Sequence, residues 1–380
     1  MNDAVIVAAR RTPTGKREGM LSGIHPADLS ALVIEDIVST TGIDPNLIDD
    51  VVWGCVTQAG EQTGDIARTA ALSAGLPESV TGVTVDRQCG SSQQALHFVA
   101  AGVASGQYDI AIAGGVESMS RNPMFSSSMG KSPYGTKFKD RYPGDDPNQG
   151  IGAEMIAEKW GFSRTELDEF AVRSHELAAA ATDAGAFESQ IIPVETENGT
   201  VSVDEGIRRG GSVEKLAKLQ TVFKEDGVIH AGNASQISDG SAAMLVMTSQ
   251  RAKELGLTPL VRVHTAVLAG DDPVMMLTAP IPATAKALKK SGLSIDDIGT
   301  FEINEAFAPV PLAWLKETGA NPELLNPHGG AIALGHPLGG SGARLMSTMI
   351  HNMVNNNIKY GLQSMCEGGG QANATILELL

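Results

Sequence analysis

Residues 89–115 read CGSSQQALHFVAAGVASGQYDIAIAGG, and residues 335–370 read GHPLGGSGARLMSTMIHNMVNNNIKYGLQSMCEGGG. Each passes from a Gly/Ser-rich turn into an apolar helical stretch and then into a short apolar strand ending in glycines. A second pair precedes them. Ala27 to Ser39 is followed by GIDPNLIDDVVWGCV, and Ala283 to Lys290 by GLSIDDIGTFEINEAF. Both read as helix, Gly stop, Asp-Asp pair and buried strand. The period is about half the chain, which predicts two similar α/β halves, roughly 1–120 and roughly 255–380, related by a pseudo-twofold. Chemistry is expected where the matching turns converge.

Between the halves, from about Arg121 to Ile237, the composition shifts toward Ser, Pro, Lys and Asp, as in SRNPMFSSSMGKSPYGTKFKDRYPGDDPNQG. Helical stretches resume at Ala153 to Lys159 and Thr165 to Ala184, so the segment is expected to be an ordered loop domain, 121–237, rather than a linker. A lid over one edge of the site is its natural role. The amino-terminal half would be completed by about 238–254.

The chain has 380 residues, enough for two closely packed domains. Hydrophobic residues make up 42% and aromatics only 4%, with 43 glycines, which suits α/β layers in close contact. A formal charge of -16 argues against nucleic acid as a partner. Cys55, Cys89 and Cys366 are too few for a disulfide scaffold and fit a reducing compartment. The opening MNDAVIVAARRTPTGKR lacks the order of a signal peptide, and no stretch reads as membrane-spanning. The final ELL is no peroxisomal address, so a soluble cytoplasmic protein is the expectation.

Cys89 lies between the β-rich run TGVTVD and a helical stretch that begins with Gly and Ser. Strand, tight turn and helix expose a nucleophile at a helix amino terminus, where unpaired N–H groups favour a thiolate. A buried, inert thiol is the competing reading. His336 sits among six glycines between Gly329 and Gly342, where a structural turn competes with a ligand-facing base. Cys366 ends a strand-like run before three glycines whose N–H groups can form an anion nest; a structural strand-end Cys is the alternative. Without a CxxC or HxxxH pairing, a metal site is not expected. Asn304 and Glu305 follow an apolar strand, at a crevice or capping the next helix. Residues 207–224 hold five basic side chains against one acidic, Glu214: a solvated helix face, or the local basic surface that a polyanionic ligand needs.

Together these segments resemble the thiolase family over nearly the whole chain. The residues that carry the resemblance are VDRQCGSSQQA, AGGVESMS, AGNASQISDGSAA, EINEAFA, GGAIALGHPLGGSGAR and CEGGGQ. The resemblance implies a five-layer αβαβα thiolase fold with an inserted loop domain. Carried over residue by residue, the acyl-accepting nucleophile falls on Cys89, the activating histidine on His336 and the proton-handling cysteine on Cys366. The water-holding asparagine falls on Asn304, and the glycine lending an N–H to the thioester oxyanion on Gly368. Coenzyme A contacts fall on Arg208, Ser235, Ala306 and Phe307. Coenzyme A and acyl-CoA are then substrates, with no tightly bound cofactor.

The implied mechanism has His336 keep Cys89 as a thiolate that attacks a thioester or β-keto carbonyl, with the N–H groups of Cys89 and Gly368 stabilising the oxyanion. Condensation and thiolytic cleavage of a 3-ketoacyl-CoA, as in β-oxidation, are the two directions. A homodimer or homotetramer is implied. The sequence departs from short-chain biosynthetic thiolases in aligning Asn148 and Gln149 where they have a His-Met pair, which points to a longer or bulkier β-ketoacyl group. His328 stands where a small or amide residue is more usual, and Gln93 and Gln94 look more like thiolases with unusual or degradative substrates. A β-ketoacyl synthase-like condensing enzyme is the nearest rival, and Cys366 discriminates against it. A non-catalytic acyl-CoA-binding subunit and a cysteine hydrolase are the others.

Overall fold

The computed structural model describes residues 3–144 and 146–380. Its first half is laid down by strands β1 (Val5–Arg11), β2 (Asp50–Gly54), β3 (Thr81–Val85) and β4 (Ile110–Ser118) and helices α1 (Pro26–Thr41), α2 (Ile66–Ser73) and α3 (Ser91–Ser105). Local signals set these limits. Helix α1 starts at a proline behind His25, whose side chain accepts the Ala27 N–H, and stops at Gly42 with φ of 64°. Strands β2 and β4 are buried along their whole length, the continuous apolar pattern of a sheet covered on both faces.

From Ser118 the chain leaves the sheet and builds α4 (Gln149–Trp160), α5 (Arg164–Asp183) and a small hairpin, Val194–Thr196 with Gly199–Val201. A capping box between Ser163 and Glu166 starts α5. This segment buries its apolar face on the second half: Ala153, Ile156, Leu167 and Phe170 share a core with Phe301, Val310 and Trp314. The chain rejoins the first sheet at β5 (Ser238–Met247).

The second half follows with β6 (Val261–Gly270), α6 (Pro280–Ser291), β7 (Thr300–Ile303), α7 (Pro309–Thr318), α8 (Leu338–Asn356), β8 (Tyr360–Glu367) and β9 (Gln371–Leu379). The two predicted helical repeats run slightly longer than the sequence suggested, because each begins at a proline and ends at a left-handed glycine, Gly42 or Gly292.

The strand order is β3-β2-β4-β5-β1 in the first half and β7-β8-β9-β6 in the second, with β5 and β9 antiparallel to their neighbours. In the second half the outermost strand has shrunk to a bridge between Phe301 and Leu325. The two sheets meet where Val5 and Ile6 pair with Arg262 and Val261. Helices α3 and α8 lie between the sheets, α1 and α2 cover one outer face, and α6 and α7 cover the other. This gives five alternating layers. The central pair approaches closely at Gly342, where a Cβ would overlap the Gln93 backbone nitrogen. Gln93, read from sequence as a hint of unusual substrates, lies in this core: its Nε2 donates to Thr375 Oγ at 2.7 Å and its Oε1 accepts from Gln363 at 3.0 Å. Gln94 is buried beside it. No helix among the described residues is long and apolar enough to cross a membrane.

Candidate active site

The turns that open α3 and α8 come together at one end of the central layer, where Ser92 Oγ accepts the Ala343 N–H at 2.8 Å. Cys89 stands at the first of these. Its neighbour Gln88 has φ of 48°, a left-handed value uncommon outside glycine, so the chain folds sharply there. Asp86 accepts the Gln88 N–H at 2.7 Å, and Ser91 Oγ accepts the Arg87 N–H at 2.9 Å while donating to Gln88 O at 2.6 Å. The Cys89 side chain is buried in an apolar cluster with Met119, Leu338, Leu345 and Met365, bordered by Val56 and Ile237. Burial, then Cys366, Glu367 and Glu117, push its thiol well above the ordinary value.

His336 begins the second turn. Its N–H donates to Ser238 Oγ at 3.0 Å, and its Nδ1 lies 2.6 Å from Ser341 Oγ. Ser341 gives its one hydrogen to Pro337 O at 2.8 Å, so it accepts from Nδ1. The imidazole therefore carries its proton on Nδ1, and Nε2, buried without a partner, is an open acceptor. Burial, helped by Arg344, lowers its pKa to about 3. The ring is neutral at physiological pH.

Cys366, one residue before the end of β8, faces Asn304, whose Nδ2 donates to Sγ at 3.6 Å. Burial lifts this thiol to about 11. Asn304 Oδ1 is buried and has no partner, leaving an acceptor for a water or a substrate oxygen. Gly368 follows, and a Cβ on it would stand 2.8 Å from Gln88 Oε1, so its peptide lies against the Cys89 turn. Gly369 and Gly370 then turn the chain with φ of 82° and 74°.

Burial disfavours the charged form of both Cys89 and His336. An open acceptor and two buried thiols can transfer a proton as charge passes to an incoming carbonyl.

The other expected residues divide into two groups. Ser235 donates its N–H to Ala306 O at 2.9 Å, and Ala234 bridges to Phe307, so the GNAS and NEAF segments form one edge. Phe223 meets Phe307 edge-on at 5.9 Å and lines a cavity of about 730 Å³ between Arg164 and residues 219–227. Arg208 is exposed on a turn tied to this edge through Gln236, which donates to Gly206 O at 2.9 Å. Of the five basic residues at 207–224, Arg209 pairs with Asp183 and Lys224 with Glu158, while Arg208, Lys215 and Lys218 have no ion-pair partner among the described residues.

Asn148 is an N-cap, accepting from Gly150 and Ile151. Glu305 is buried among Ser174, Asn326 and the Ile332 N–H rather than facing a crevice. His328 packs edge-on against Phe187 at 5.9 Å. Ser341, which sets the histidine tautomer, escaped the sequence reading although it lies in the first turns of the helix after His336. Among the described residues no group of three or more His, Cys, Asp or Glu side chains is arranged to hold a metal ion.

A model described as the N-terminal domain of thiolase matches residues 4–250, and one for the C-terminal domain matches 257–379. The chain is 51% identical to a steroid 3-ketoacyl-CoA thiolase of Mycobacterium tuberculosis, covering 100% of this chain and 95% of that one. It is 44% identical to a 3-ketoacyl-CoA thiolase of Photobacterium profundum over 100% of both. The crystal structure of the Bacillus anthracis acetyl-CoA acetyltransferase superposes with a TM-score of 0.92 at 37% identity, covering 100% of this chain and 99% of that one.

Proposed function

Because this chain belongs to the thiolase family, we propose that it cleaves a 3-ketoacyl-CoA bearing a bulky, ring-derived acyl group, through an acyl-Cys89 intermediate. It is a coenzyme-A-dependent acetyl-CoA acyltransferase of the degradative type. The observation that carries the residue assignment is the open, buried Nε2 of His336 on the turn packed against that of Cys89, with a second buried thiol on Cys366.

As a substrate carbonyl meets Cys89, the thiol proton passes to His336 Nε2 and the sulfur adds to the carbonyl. The Cys89 and Gly368 N–H groups receive the developing oxyanion. The carbon-carbon bond breaks, and Cys366 protonates the departing acetyl-CoA carbanion, whose enolate oxygen is stabilised by His336 and a water held on Asn304. The coenzyme A thiol gives its proton to the Cys366 thiolate and takes the acyl group from Cys89, whose departing sulfur recovers its proton from His336. Arg208, Ser235, Ala306 and Phe307 hold coenzyme A, with the cavity beside Phe223 taking part of it.

The named substrate of the mycobacterial relative supports a bulky acyl group. So do Met119 and Met365 beside Cys89, unbranched thioethers that adapt to varied shapes. Steady-state kinetics across 3-ketoacyl-CoAs test this: kcat/KM is expected to be higher for ring-bearing substrates, and a preference for acetoacetyl-CoA overturns it. The enzyme acts as a cytoplasmic homodimer or homotetramer in a β-oxidation-type sequence. Support for a dimer comes from β3, an outermost strand without Lys or Pro to block pairing, with Val83 44% exposed.

A further inference from the structure

The two halves place one glutamate each at equivalent positions. The offset that carries Gly42 onto Gly292 also carries the pair Asp50 and Ala111 onto Thr300 and Gly361. The same offset carries Glu117 onto Glu367. Both are fully buried. Each reaches across to the helix start of the opposite half: Glu117 accepts the Gly339 N–H at 2.8 Å, at the start of α8. Glu367 occupies the space that a Cβ on Gly90 would need, ahead of α3. Asn373 Nδ2 lies in the same place and donates to Gly90 O at 2.9 Å.

Their partners differ. Glu117 also accepts from the Val56 N–H, the Thr57 N–H and Gln62 Nε2, a full set for a carboxylate. Among the described residues neither oxygen of Glu367 accepts a hydrogen bond of ordinary geometry, and only the Asn373 N–H faces the carboxyl. A buried carboxylate with so few donors is strongly disfavoured, so the group stands as a carboxylic acid. The charged and titratable groups that face it are Arg87 and Asp86 on the turn before α3, with Cys89 and Cys366 on the active-site side. Arg87 donates Nη1 to Gln371 Oε1 at 3.0 Å rather than to Glu367. Gln371 and Asn373 on β9 are neutral. Burial lifts the carboxyl to about 8, with Arg87 and the Asn373 N–H opposing and Asp86 adding.

We propose that Glu367 is a positioning residue for the Cys89 turn: as a neutral acid it braces Gly90 and the Gly368 peptide so that their region can receive negative charge, and its ionisation suppresses the reactivity of Cys89. This rests on Cys89 being the acyl acceptor. In the ionised state a carboxylate near Cys89 raises the thiol further and opposes an oxyanion held by the neighbouring N–H groups.

The test uses the full chain, wild type and Glu367→Gln, with iodoacetamide as probe and peptide mass spectrometry to follow Cys89 alkylation. Near pH 6.5 the two rates are expected to agree within about twofold, and near pH 9.5 the variant is expected to react several-fold faster, since one pKa unit corresponds to about tenfold. An identical rate ratio at both pH values overturns the proposal. If the variant does not fold, wild-type Cys89 reactivity should lag behind a single thiol titration between about pH 7.5 and 9. A simple one-step rise there overturns it. Acetyl-CoA labelling runs alongside. Absence of an acetyl adduct on Cys89 refutes the acyl-acceptor premise, whereas an adduct with a pH-independent ratio refutes the role of Glu367 alone.

Discussion

The turn ahead of α3 and the turn ahead of α8 hold matching places in the two halves, yet they do opposite work. The first presents a thiol in an apolar cluster, and the second an imidazole with one nitrogen committed to Ser341 and the other open. The strands beneath them diverge in the same way. The offset relating the halves carries Gly54 onto Asn304 and Val116 onto Cys366. The first half therefore has a glycine and an apolar side chain where the second has an amide and a thiol. The repeat builds the layers, and the chemistry lies where the repeat is broken, which gives one asymmetric site rather than two.

The largest expected effect comes from erasing the nucleophile. Cys89→Ala should form no acyl adduct and lose kcat by on the order of 10⁴ or more, read by steady-state thiolysis. The matching change in the other turn, His336→Ala, should lower kcat by roughly 10² to 10⁴. The pH profile sharpens the same contrast. Because burial holds His336 near 3, its imidazole stays neutral on going down through the ordinary histidine range. The free-enzyme kcat/KM should stay flat from about pH 7 to about pH 5. An acid limb centred near pH 6.5 would break this part of the account.

Smaller effects separate support from chemistry. Glu117→Gln puts an amide donor among four existing donors and should destabilise the fold by about 1–3 kcal/mol, seen as a lower denaturation midpoint. Glu367→Gln, at the equivalent position, meets only the Asn373 N–H in place of four donors and should shift the midpoint far less. Smallest of all, Asn148→Ala removes an N-cap in the segment between the halves and should cost about 1 kcal/mol, measurable by chemical denaturation.

The layer plan was legible in the sequence because its punctuation is local: prolines and left-handed glycines bound α1 and α6, and buried strands follow at the same spacing. The three candidate side chains stood out for the same reason, each with a glycine one or two positions away that allows close approach. Partners set by tertiary geometry were not. Ser341 fixes the His336 tautomer through a bond visible only once the helix is built. The equivalence of Glu117 and Glu367 depends on strand register, and so does the burial that raises the Cys89 thiol. Gln93 carried a family likeness in the sequence, and only the structure shows that its side chain fills the seam between α3 and the second sheet.

The proposed function gives acyl capture to Cys89 and carbon-carbon bond chemistry to Cys366, and one experiment separates them. Wild type and Cys366→Ala are each incubated with acetyl-CoA, mapped by peptide mass spectrometry, and assayed for 3-ketoacyl-CoA cleavage. The account predicts an acetyl adduct on Cys89 in both proteins and cleavage only in the wild type. An adduct missing from wild-type Cys89, or cleavage retained by Cys366→Ala, would contradict it.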